Sequence, residues 1–462
     1  MISESTHNPK FRINDFGYIK SGEFEIKPLT IFCGPNNTGK TWAMYALYGC
    51  LDYLPSNMPL PQLQEVAGAL TQNGEYSWDL SDWASKNYRR IISLIHQGGR
   101  IRLGRVFNVD SDIFKKSSFD WQLSKDSLLQ TITTSPLDFR LEVGKQNDAL
   151  RILKPAGKSV AQLTLLSDKL PDVGRHISDA IVRFLLDQSE TKKVFLIPAE
   201  RAGLHLFYRE LSTRRSALFH HASREEIDIN KLLTDILRSR YAEPIADYID
   251  WLNELRTLRR LKSPLFRTRA DALRKSLLAG KYEIDNEGVI SFTPQKRKRT
   301  DAQAPTMPLH MSSSTAKSLF GLWFFLDHLA SSGDVLMIDE PELNLHPGAQ
   351  RKIARILATL ANQGLKIVIS THSDYLIREL NSLMMLSRAH PKRDELMKLH
   401  NYQENEILNP EDVAAYLFDD GEIIEMNITP EEGIAAKTFD SVIHDLNETS
   451  DSIYYEYLSS QE

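Results

Sequence analysis

Residues Gly34-Pro35-Asn36-Asn37-Thr38-Gly39-Lys40-Thr41 match G-x-x-x-x-G-K-[ST], and no other stretch restricts what this chain can fold into so tightly. The pattern acts as a phosphate-binding loop only between a strand and a helix. Both flanks are present: Pro28 to Cys33 is an apolar run of strand character, and Trp42 to Leu51 reads as a helix rich in Ala, Leu and Met. Two glycines let the backbone curl so that its N–H groups face phosphate oxygens, and the start of a helix adds a favourable dipole. In that setting Lys40 reaches the β- and γ-phosphates and the Thr41 hydroxyl holds Mg²⁺. A chance glycine turn is the plain alternative, and the flanks argue against it. ATP and Mg²⁺ are the expected cofactors.

A second apolar strand, Val335-Leu336-Met337-Ile338, runs into Asp339-Glu340. Open α/β sheets bind ligands beyond the carboxyl ends of their strands, so these acids can face the loop. Asp339 is the expected Mg²⁺ ligand, directly or through water, and Glu340 the expected base for the attacking water. The string continues as Pro341-Glu342-Leu343-Asn344-Leu345-His346-Pro347, which is far more specific than two acids alone. A third buried strand, Lys366 to Ser370, delivers Thr371-His372-Ser373, with His372 placed to sense a γ-phosphate. Asp419-Asp420-Gly421, flanked by apolar pairs, reads as a hairpin turn and not as a nuclease acid pair. His390, His400 and His444 lack ligand spacing.

The remaining chain is read as α/β throughout, with strand-like pieces at Ile101 to Phe107, Phe139 to Val143 and Val160 to Leu166 forming an antiparallel β subdomain. Lys193 to Ile197 is a further strand that delivers Pro198-Ala199-Glu200-Arg201. Between 205 and 280 strands vanish and helical periodicity takes over, which predicts a helical, coiled-coil-like arm inserted into the α/β body. The expected divisions are thus 1–204 (loop lobe), 205–280 (arm) and 281–462 (acid and His372 lobe). Tyr282 to Phe292 reads as a hairpin around Asn286-Glu287-Gly288.

Charge is uneven. The formal net charge is −5, so the whole chain is no basic nucleic-acid binder, yet residues 254–275 carry Arg256, Arg259, Arg260, Lys262, Arg267, Arg269, Arg274 and Lys275 against Glu254 and Asp271. DNA or an acidic partner is therefore possible there, a solvated helix face being the plainer reading. Two cysteines support no disulfide framework, and no apolar run reaches the ~18 residues of a membrane span. Without a visible signal peptide, the expected setting is the cytoplasm, with no membrane partner.

Together the phosphate loop, Asp-Glu-Pro-Glu-x-x-Leu-His-Pro and Ser-Thr-His-Ser resemble the ATP-binding-cassette superfamily, in the branch of chromosome-maintenance, Rad-type and OLD-like defence ATPases. The likeness covers about 11–54 and 285–385. Pro198 to Arg201 and the region from Glu422 to Tyr457 are similar to small OLD-like ATPases, and above all to the ATPase subunits of PARIS-type anti-phage systems. The resemblance implies an ABC-type head that hydrolyses ATP and pairs as a homo-oligomer through its nucleotide sites. It also implies a separate TOPRIM-type nuclease effector and a phage-encoded trigger. In that family a signature serine from a second subunit completes each site. Here Ser312 or Ser313 is the counterpart, in Met311-Ser312-Ser313-Ser314-Thr315-Ala316-Lys317, although serines stand where glycines are usual and plain helix capping would also account for them. No Q-loop glutamine is evident, and Arg201 is its expected substitute near the nucleotide. A DNA-acting repair or chromosome ATPase and a transporter energy module are the rival readings.

Overall fold

The computed structural model describes residues 8–52, 58–143, 147–167, 170–186, 193–210, 241–263, 265–295, 305–435 and 447–457. It divides into two compact units, neither continuous in sequence. One comprises Met1–Glu25, Tyr45–Val194 and Ser239–Pro244, the other Ile26–Met44, Phe195–Arg238 and Ile245–Glu462.

In the first unit, β1 (Lys10–Phe16) pairs antiparallel with β2 (Ile19–Glu25) and, on its other edge, with β5 (Ser118–Gln122). Alternation along β1 turns Phe11 and Ile13 inward, the kink at Asp15 (φ 45°) lets Phe16 be buried too, and Phe11 packs its ring 4.9–5.6 Å from Phe24, Phe119 and Trp121. A separate antiparallel sheet has the order β4 (Glu75–Asp79), β8 (Val160–Leu165), β7 (Asn147–Lys154), β6 (Leu137–Val143). The helix Leu80–Val106 follows β4 directly, its first N–H groups at Ser81 and Asp82 donating to the Asp79 carboxylate. Ile101 to Phe107, expected as a strand, is the last stretch of this helix. The apolar alternation there misleads, because the buried positions Ile91, Ile95, Leu103 and Val106 follow helical spacing.

The second unit is built on the strand order β16 (Glu422–Glu425), β15 (Val413–Asp419), β3 (Leu29–Cys33), β14 (Lys366–Thr371), β13 (Val335–Asp339), β9 (Val194–Ile197). In it β3 lies between β14 and β15, parallel to both, and β13 runs parallel to β14. β9 lies beside β13, and β16 pairs antiparallel with β15. Every residue of β3 and β13 is buried, as in a parallel sheet covered on both faces, which is why these strands read as unbroken apolar runs. Asp420 (φ 42°) and Gly421 (φ 82°) make the β15–β16 connection a tight hairpin turn, as expected. β10 (Gly280–Ile284), β11 (Ile290–Pro294) and β12 (Met307–Pro308) form a small antiparallel sheet that contains the expected hairpin.

Residues 211–240, and with them much of the expected arm, lie outside the described residues. The described part packs into the core of the second unit. Tyr248, Leu252 and Leu255 of the helix Glu243–Leu258, with Phe266, Ala270 and Leu273 beyond it, belong to the same core as Ile31, Leu336 and Ile369 of the sheet. The periodicity that suggested a free-standing helical element is that of helices with one face in a core. Much of the basic 254–275 segment is held locally as well. Arg259 bonds the Ile284 carbonyl and Asn286, Lys262 and Arg267 pair with Asp327, Arg269 bonds Gln363, and Arg274 pairs with Asp271.

The helices that follow β13 and β14, Pro347–Asn362 and Asp374–Met385, are joined by the buried Glu379, whose carboxylate accepts from Arg351 and Arg355 at 2.6 Å each. Removing it leaves two guanidinium groups facing a cavity. Glu379→Ala is expected to cost about 3 kcal/mol, at the low end for a broken buried pair because Arg351 is half exposed, as measured by the urea midpoint.

Candidate nucleotide site

The loop leaves β3 at Cys33 and enters the helix Lys40–Asp52, as its flanks predicted. Its curl comes from three residues with positive φ: Gly34 (137°), Asn37 (62°) and Gly39 (100°). At Gly34 a second constraint applies, since an added Cβ would collide with the Phe418 carbonyl oxygen of β15. Lys40 is only 6% exposed and folds back over its own loop, its Nζ donating to the carbonyls of Gly34 (3.0 Å) and Pro35 (2.6 Å). Burial lowers its pKa, and the carboxylates of Asp339 and Glu340 oppose that shift. Pro35, Asn36 and Asn37 are exposed, and the Thr38 hydroxyl braces the turn on the Pro35 carbonyl at 2.9 Å.

The acids meet this loop as the sequence suggested. Thr41 Oγ1 donates to Asp339 Oδ2 at 3.0 Å, across 298 residues of sequence. Ser370 Oγ donates to the other Asp339 oxygen. Asp339 is 2% exposed, and burial raises its carboxyl pKa. A buried carboxylate with a threonine hydroxyl beside it suits a divalent cation, which would relieve that desolvation. Among the described residues no group of three or more His, Cys, Asp or Glu could hold a metal by itself. Mg²⁺ needs no such cage, because it usually takes one or two carboxylates and completes its shell with phosphates and water.

Glu340 adopts a left-handed backbone (φ 50°), with its N–H donating to Ser370 Oγ at 3.0 Å. That turn places its carboxylate 3.4 Å from His372 Nε2, and the hydrogen bond to His372 is the main cause holding its pKa below the usual glutamate range. Both side chains are about one-third exposed, so they face outward from the sheet edge. Glu342 was quoted in the motif without a role, and the structure supplies one. Its Oε1 accepts from Thr371 Oγ1 (2.8 Å) and from the backbone N–H of His372 (2.7 Å), so it holds the turn that carries His372. Its Oε2 is buried without a hydrogen-bond partner among the described residues, and burial raises its pKa. The rest of the string is structural. His346 caps the helix Pro347–Asn362 through Nδ1, while Asn344 (φ 63°) donates to Ser318 Oγ at 3.0 Å.

Ser313 is the N-cap of the helix Ser314–Phe324, accepting from Ala316 N at 3.2 Å, and the buried Ser312 turns its hydroxyl to the Pro308 carbonyl at 3.4 Å. Within one chain both serines therefore occupy the capping geometry noted as the plainer alternative. Arg201 departs from expectation. Instead of reaching toward a nucleotide it is 1% exposed, and its guanidinium is spent on backbone carbonyls. The sequence could not show this, because a lone Arg after a strand carries no sign of which carbonyls will surround it. Gly34→Ala is expected to weaken binding of a labelled ATP analogue by about 30-fold or more, since the strained φ and the clash each cost about 1 kcal/mol or more. Equilibrium titration checks it.

Comparison with known proteins bears on this geometry. The AAA ATPase domain family matches residues 9–377 of the 462. No curated protein matches the chain. Among solved structures, the chain is similar to the Smc head domain with an extended coiled coil bound to the C-terminal domain of ScpA from Pyrococcus furiosus. Identity is 11%, coverage 96% of this chain and 99% of that one, and the TM-score 0.33. The SMC head domain from Thermotoga maritima is similar at 10% identity, covering 91% of this chain and 100% of that one, with a TM-score of 0.30. The motifs that build the site, from Gly34 to His372, all fall inside the matched span, and the chain belongs to the AAA ATPase domain family.

Proposed function

We propose that this chain is a Mg²⁺-dependent ATP hydrolase. One observation supports the reading above the others: the Thr41–Asp339 hydrogen bond, with Lys40 beside it, joins a phosphate loop to an acid-bearing strand end. Lys40 and the loop N–H groups would hold the β- and γ-phosphates, and Thr41 with Asp339 would hold Mg²⁺. Bound Mg²⁺ would neutralise phosphate charge and order the β- and γ-oxygens. Glu340 would then take the proton of the attacking water, and His372, 3.4 Å from it, would orient that carboxylate and contact the γ-phosphate.

Lys40→Ala should lose nucleotide binding, and near-normal affinity would overturn the loop assignment. Glu340→Gln should bind ATP but hydrolyse it 10²–10⁴-fold more slowly, as loss of a general base predicts. A phosphate-release assay at saturating ATP reads this, and a normal rate would transfer the role of base elsewhere.

The output of hydrolysis is proposed to be conformational. Two copies would pair with Ser312 or Ser313 of each against the nucleotide of the other, and the pair would control a nuclease effector in an anti-phage system of PARIS type. The motif resemblance supports this, together with a helix N-terminus led by serine hydroxyls. Adding Ser312→Arg or Ser313→Arg to Glu340→Gln should abolish the rise in mass that ATP produces in light scattering. An undiminished ATP-dependent rise in both double variants would leave the serines as caps only.

A further inference from the structure

Arg201 has a side chain whose bonding is not explained by binding nucleotide. It follows β9 and lies under the acid-bearing end of β13, almost wholly out of water. Nε donates to the Ser318 carbonyl (3.1 Å), Nη1 to those of Pro198 (3.0 Å) and Asp339 (2.8 Å), and Nη2 to that of Glu340 (2.6 Å). All four acceptors belong to the main chain, so the guanidinium reads backbone position and not a charge. Burying such a group costs several kcal/mol unless its donors are satisfied, and these bonds take up four of its five N–H donors in a planar fork that lysine cannot reproduce.

Three pieces of chain meet on this one group: the end of β9, the body of the helix Ser314–Phe324, and the Asp339-Glu340 turn. That turn is the strained one. A non-glycine residue at φ 50° costs roughly 1–2 kcal/mol and persists only where its surroundings hold it. Glu340 is held at both of its backbone groups, by Arg201 at its carbonyl and by Ser370 Oγ at its N–H. The left-handed turn is what brings its carboxylate beside His372.

We propose that Arg201 is a positioning residue for hydrolysis: one buried guanidinium holds the Glu340 turn in its strained form and ties it to the helix that Ser313 caps. A displacement of that helix start is thereby carried to the base through the Ser318 carbonyl. The inference rests on the ATPase reading above and adds to it a link between the serine-led helix and the turn at Glu340.

The test uses the full chain with Arg201→Lys, which keeps the charge but not the fork, and Arg201→Gln, which keeps two donors without charge. Steady-state hydrolysis gives kcat and KM, titration with a fluorescent ATP analogue gives Kd, and thermal unfolding reports folding. The expected result is a kcat about 10²-fold lower in Arg201→Gln and about tenfold lower in Arg201→Lys, with Kd within about threefold of the unaltered chain. A folded variant of normal kcat would overturn the proposal. So would a Kd that rises by as much as kcat falls, or failure of both variants to fold, because Arg201 would then serve the fold alone. The unaltered chain and Glu340→Gln run alongside. No turnover by the unaltered chain would end the ATPase reading, whereas normal turnover with an unimpaired Arg201→Lys ends only this assignment.

Discussion

Parallel pairing of β14 with both β3 and β13 sets Thr371 opposite Cys33 and Ser370 opposite Asp339. The carboxyl ends of three strands, one of them about 300 residues before the other two in sequence, are thereby level. Everything chemical lies within a few residues of that line: the loop after Cys33, the acids at Asp339 and Glu340, and His372. A register slip of one residue in β14 would reverse its side chains and carry Ser370 away from Asp339. The apolar content of the three strands guards against this, since each is buried on both faces and a slip would have to repack two layers.

Around that line the protein gathers groups that resist burial. Asp339, Glu342, Lys40 and Arg201 are all largely removed from water, and each has its pKa moved toward the neutral form by desolvation. They persist because they bond one another's loops and strands: hydroxyls of Thr41 and Ser370 on Asp339, Thr371 and His372 on Glu342, and main-chain carbonyls on Lys40 and Arg201. In a low-dielectric setting such bonds gain strength, and so would contacts to phosphate charge and a divalent cation. The strained turn at Glu340 is stored in the same network, so a partly exposed turn is held by groups largely out of water.

The sequence by itself leaves open what covers the helix Glu243–Leu258 and what surrounds Arg201. Periodicity in 241–261 marks a helix with an apolar face but does not say what covers that face. Here the cover is the unit's own core, through Tyr248, Leu252 and Leu255. Likewise Arg201 is an arginine beside a strand end, and only the surrounding carbonyls make it an internal brace. Ile101 to Phe107 is a different case. Its short apolar alternation imitated a strand, while the preceding Ile91 and Ile95 already continued a helical repeat into Leu103 and Val106.

What this sequence determines by itself is local chemistry. The glycines at 34 and 39, Lys40-Thr41, the strand that stops at Asp339-Glu340 and the one that stops before His372 each carry their own physical reason in a few adjacent residues. Two glycines permit a curl, and an apolar run followed by acids must end a buried strand. Tertiary structure alone decided which groups meet. The Thr41–Asp339 bond, the grip of Arg201 on Glu340 and the hold of Glu342 on the His372 turn all join residues at least 29 positions apart. Such contacts depend on strand order and register, which arise from packing the whole sheet between its helices. No window of sequence contains that packing, so the components of the site were legible and their mutual support was not.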